Sequence, residues 1–104
     1  MATGKINKVV TGDGSVKIFD HGDGTSTTIT LPRGYRGWFV VTSYNVNFMG
    51  VFVVGSSSSG SVGLLTVSKG SNLTVTTSAD TISISTGGGG YYVEFHTVEG
   101  NEPT

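Results

Sequence analysis

From Thr27 to Leu31 the chain reads TTITL, with Ile29 and Leu31 on one parity and Thr28 and Thr30 on the other. Period-two alternation is what a strand needs when one face is buried and the other wet. The same pattern recurs in NLTVTTS, where Leu73 and Val75 oppose Thr74 and Thr76, and in TISIS, where Ile82 and Ile84 oppose serines. In YYVEFHTVEG, Tyr91, Val93, Phe95 and Thr97 alternate with Tyr92, Glu94, His96 and Val98, which also reads as a strand. No stretch of eleven residues carries apolar positions at helical spacing, and β-branched residues dominate, so essentially no helix is predicted. Turn signals recur about every 8 to 12 residues: GDG at Gly12, HGDG at His21, PRGYRG at Pro32, SSSSG at Ser56, KGSN at Lys69, SAD at Ser78 and GGGG at Gly87. The expectation is an all-β fold, an antiparallel β-sandwich or jelly roll of eight to nine short strands. It forms one domain over residues 1–104, with 99–104 (EGNEPT) as a polar C-terminal tail.

The segment GWFVVTSYNVNFMGVFVVG breaks the alternation. Trp38, Val40, Phe52 and Val54 share one parity, while Phe39, Val41, Met49, Val51 and Val53 share the other, so both faces are apolar. In a chain too short for three layers, the second apolar face must be covered by a loop or by another subunit. Assignment to a subunit interface makes Phe39, Val41, Met49, Val51 and Val53 the candidate interface and predicts a homo-oligomer, with a trimer favoured over a dimer.

Composition supports sharing a core. The chain has 104 residues and no cysteine, so neither disulfides nor thiolate metal sites reinforce it. Charged residues make up 12 %, about half the usual fraction, beside 17 glycines and many serines and threonines. A net charge of -1 gives no basic field for nucleic acid or for an acidic membrane, and neither is expected as a partner. The N-terminus MATGKINKVV lacks the apolar stretch of a signal peptide, and VFVV at Val51 to Val54 is far too short to span a bilayer. A complete small gene product made in a cytoplasm is expected, starting at its methionine and ending in a short polar tail.

The sequence offers little chemistry. The glycine run 87–90 leads into a strand, whereas phosphate-cradling loops lead into a helix and supply a Lys-Ser or Lys-Thr pair; it reads as a long hairpin loop. Asp20, His21 and Asp23 in FDHGDG could ligate a metal, but they lack calcium-loop spacing, and Asp-Gly there and at Asp13 is a strong hairpin signal. Glu94 and His96 share a strand face without a nucleophile or an orienting third group, so they read as an outer-face polar pair. NLT at Asn72 matches a glycosylation acceptor but reads as strand-initiating chemistry in the absence of a secretory signal. No catalytic residue, metal site or cofactor is predicted. The loop PRGYRG gathers Arg33, Tyr35 and Arg36 near Trp38, a composition used in sugar and protein recognition. With Tyr91 and Tyr92 these form the candidate ligand-binding set.

A cysteine-free chain opening MATGKINKVV, rich in glycine, serine and threonine, with a glycine-run hairpin and the aromatic last strand YYVEFHTVEG, resembles small bacteriophage virion proteins. The likeness is to the trimeric jelly-roll or β-sandwich knobs of tail fibres, head fibres and baseplates. It covers the whole chain through composition and strand rhythm rather than through a diagnostic motif. It implies a non-enzymatic structural or host-adhesion module located in the virion, with other virion proteins as partners and end loops that meet cell-surface glycan. The chain departs from fibre proteins in having no repetitive shaft. The alternative is a monomeric carbohydrate-binding module in which Tyr35, Trp38, Tyr91 or Tyr92 stack on sugar rings.

Overall fold

Nine strands and one 3-10 turn are seen in the computed structural model, which describes residues 5–9, 15–21, 26–86 and 90–104. The strands are β1 (Lys5–Val9), β2 (Ser15–His21), β3 (Ser26–Thr30), β4 (Arg36–Ser43), β5 (Gly50–Ser56), β6 (Val62–Lys69), β7 (Thr74–Ser78), β8 (Thr81–Ser85) and β9 (Tyr91–Glu99). They form two antiparallel sheets, a large one ordered β1-β2-β9-β4-β5-β6 and a small one ordered β3-β8-β7. The predicted all-β sandwich is therefore the architecture found. Pairing of β2 with β9 in one sheet and of β3 with β8 in the other is the winding of a jelly roll. The β4-β5-β6 meander departs from that winding by staying in the large sheet.

The alternating strands bury the sides their patterns indicate. Ile29, Leu73, Ile82 and Ile84 are sealed in the core, as are Val93 and Phe95, with the threonines of β7 outside. Phe95, Phe39 and Phe52 are cross-strand neighbours in one row of the large sheet. The Phe39 ring lies 4.8 Å from each of the other two, and Phe19 and Tyr35 meet Phe95 edge-on. One hydrophobic cluster joins both sheets.

Turn chemistry is local, but what a turn connects is not. The glycine run joins β8 to β9, which lie in different sheets, so it is an inter-sheet crossover and not the expected hairpin; Gly87–Gly89 themselves lie outside the described residues. The same holds for HGDG, which joins β2 of the large sheet to β3 of the small one, whereas GDG does link the paired strands β1 and β2. Residues 22–25 and 10–14 likewise lie outside the described residues. At Pro32–Tyr35 the Tyr35 amide donates to the Pro32 carbonyl at 3.2 Å with Gly34 at φ +82°, the positive φ a type II turn requires at its third residue. The C-terminal residues are docked rather than trailing: the Thr104 amide donates to the Thr30 carbonyl at 2.9 Å, and Pro103 is buried.

Candidate interaction surface

The apolar second face of the central strands exists, but its membership differs from the parity count. On β4 the inward residues are Phe39 and Val41, both fully buried; on β5 they are Phe52 and Val54. Phe39 and Val41 are thus core residues of the protomer and are corrected out of the interface set. The reason is that the connection between β4 and β5 changes the phase, so odd positions face inward on one strand and even positions on the other. Of the remaining candidates, Val53 is exposed on the outer face, and Met49 and Val51 are half-buried.

The outer face of the large sheet carries a row in strict cross-strand register. His96, Trp38, Val53 and Leu65 stand opposite one another on β9, β4, β5 and β6. Trp38 is 39 % exposed and Leu65 is 64 % exposed, which for one contiguous row is unusual on a wetted sheet. A β-bulge extends the row: Arg36 pairs with Glu99 and Gly37 with Thr97, so Val98 is the extra residue and stays exposed. Trp38, Val53, Leu65 and Val98 line an open groove of about 570 Å³ with Arg36 at its end. Arg36 meets Glu99 at 3.8 Å, both well exposed. Leu65 carries no signal in the sequence because it sits in no clean alternation, whereas Val98 falls on the outer parity of the last strand with Tyr92, Glu94 and His96 but nothing local marks it for the groove.

The polar pair expected on this face is present. His96 Nε2 lies 3.0 Å from Glu94 Oε2, and the imidazole stacks on the Trp38 indole at 3.9 Å with an interplanar angle of 2°. The stack covers one indole face, so Trp38 offers the groove its edge and its remaining face.

The structure does not bring the predicted ligand-binding set together. Tyr35 is fully buried, its hydroxyl accepting a hydrogen bond from Thr97 Oγ1 at 3.0 Å. Burial pushes the Tyr35 phenol above its ordinary pKa, and the hydrogen bond from Thr97 offsets only some of that rise. Tyr91 is also buried, donating to the Ile84 carbonyl at 3.2 Å and sharing a hydrogen bond with Thr27 Oγ1 at 2.9 Å. Both are corrected from recognition residues to core residues. Each phenol has a hydroxyl partner from a segment distant in sequence, which offsets the cost of burying it. Tyr92 is 42 % exposed but lies opposite Thr42, at the far end of β4 from Arg36. Arg33 is exposed, its Nε beside Gly60 at the β5–β6 tip. A sugar-stacking platform built from Tyr35, Trp38, Tyr91 and Tyr92 therefore loses two of its four rings to the interior. Among the described residues, no group of three or more His, Cys, Asp or Glu side chains could hold a metal ion, and no helix is long and apolar enough to cross a membrane.

Comparison with protein-family models, with curated proteins and with solved structures found no match.

Proposed function

We propose that this protein is a non-enzymatic structural or host-adhesion module of a bacteriophage particle, working as a homo-oligomer, preferentially a trimer, that covers the outer face of its large sheet. The observation that carries the assembly reading is the row Trp38–Val53–Leu65 with Val98, apolar, contiguous and exposed on a protomer whose core is already complete without it. Leaving such a row in water forfeits roughly 25 cal/mol for each Å² that a partner would cover. A net charge of -1 sets little repulsion against self-association. The virion assignment rests on the resemblance in composition and strand rhythm described above.

Light scattering on the purified chain tests the assembly reading. A mass three times the 10.7 kDa protomer is expected at micromolar concentration, with emission of the single tryptophan shifting to the red on dilution. A monomer at that concentration overturns the reading. For the virion assignment, a coding sequence placed among tail or capsid genes is the expected outcome, and a place within a metabolic operon overturns it.

A further inference from the structure

The exposed large hydrophobic residues fall in more than one place. One group lines the groove; another, Tyr44 at 80 % and Val46 at 71 % exposure, projects from the connection between β4 and β5. Building on the homo-oligomer proposed above, we infer that the Tyr44–Val46 turn of one copy seats in the Trp38–Val53–Leu65–Val98 groove of the next.

The turn is a rigid apolar knob. Asn45 Oδ1 accepts from the Asn47 amide at 2.9 Å, and the Phe48 amide donates to the Asn45 carbonyl at 2.9 Å. The Gly70 and Asn72 amides donate to the Met49 and Asn47 carbonyls at 2.8 and 2.9 Å, tying the turn to the β6–β7 connection. The Tyr44 ring is braced edge-on against Phe48, centroids 6.0 Å apart, and Phe48 is itself buried. An exposed apolar segment held this firmly has already met the ordering cost that docking would otherwise exact.

The groove is equally fixed, because it is the face of a paired sheet. The knob is neutral, its polar residues being Ser43, Asn45 and Asn47, so seating it buries no unpaired charge; Arg36 at the groove end keeps its Glu99 partner. Within one protomer the two cannot meet. Trp38 and Tyr44 are six residues apart along an extended strand, roughly 20 Å. Contact must therefore be between copies and head to tail, each copy giving its knob to one neighbour and its groove to the other. Such heterologous contacts close into a ring where the rotation between copies closes and run on as a filament where it does not; the trimer proposed above is the closed, three-membered case. The exposed side chains of knob and groove supply the apolar centre of the contact, and the polar residues around them must bring the total to the roughly 1,200 Å² at which specific interfaces begin.

Mixing variants separates this geometry from every face-to-face one. Tyr44→Asp disables the knob and Leu65→Asp the groove, and both side chains are exposed, so folding should persist and is checked by circular dichroism and cooperative unfolding; Val53→Ser replaces Leu65→Asp if that variant unfolds. Each variant alone should sediment at the 10.7 kDa protomer mass. An equimolar mixture retains one intact knob-groove contact and should sediment at twice that mass. If the groove variant is monomeric while the knob variant keeps the full assembly, or if the mixture stays monomeric, this inference falls and the homo-oligomer proposal stands. A monomeric unmodified protein removes both.

Discussion

Replacing Tyr35 with phenylalanine tests the interior directly, because it removes one oxygen from a side chain with no solvent exposure. At neutral pH the loss is one neutral hydrogen bond, about 1 kcal/mol, plus the cost of leaving the nearly buried Thr97 hydroxyl short of a partner, together roughly 1 to 2 kcal/mol. In a domain of this size that lowers the melting temperature by roughly 4 to 12 °C. The pH dependence makes the test sharper. With the phenol's pKa raised in the folded protein, the unfolded chain loses its proton first as pH rises. Between the unfolded value of about 10 and the higher folded one, the native state binds more protons and stability falls by about 1.4 kcal/mol per pH unit. Below about pH 10 this contribution is fully present. The advantage of the unmodified protein over Tyr35→Phe should thus be constant from pH 7 to about 9.5 and shrink steadily above about pH 10. Urea unfolding of both proteins at one fixed concentration, at pH steps from about 7 to 11.5, measures it. A difference that does not change across the alkaline range would refute the buried-phenol reasoning.

Three further perturbations address other regions of the fold. Ala79, at φ +52° as the first central residue of the two-residue β7–β8 turn, sits where a type II′ turn calls for glycine; Ala79→Gly should raise stability by about 0.5 to 1 kcal/mol, read as an increase in the thermal midpoint. Gly70→Ala should cost roughly 2 to 4 kcal/mol in chemical denaturation, because the new Cβ would press on the backbone of Val46 and Asn47 and break the hydrogen bonds that the Gly70 and Asn72 amides make to the Met49 and Asn47 carbonyls. Phe39→Ala should cost about 3 to 5 kcal/mol by the same measurement, as it empties the space between Phe52 and Phe95; a loss below about 1 kcal/mol would mean Phe39 is not the core residue described.

The all-β class, a count of eight to nine strands and the inward sets of β3, β7, β8 and β9 were legible in the chain. Period-two alternation is a property of consecutive residues, and hydroxyl side chains opposite isoleucine or leucine leave one choice of buried side. On β4 and β5 that rule is degenerate, since both parities are apolar, and only the opposing small sheet decides that Phe39 and Phe52 turn inward while Trp38 and Val53 turn out. Turn residues announce a change of direction without saying whether the chain returns to the same sheet or crosses to the other, so the glycine run and HGDG read as hairpins although both are crossovers. The tyrosines followed the same logic. Whether an amphipathic ring lies inside or outside depends on finding a partner for its hydroxyl, and Thr97 and Thr27, the partners of Tyr35 and Tyr91, are 62 and 64 residues away along the chain. Local alternation thus determined that β3, β7, β8 and β9 are strands and which side each of them buries. Pairing between distant segments decided which apolar side chains are buried in the core and which stay exposed on the outer face of the large sheet.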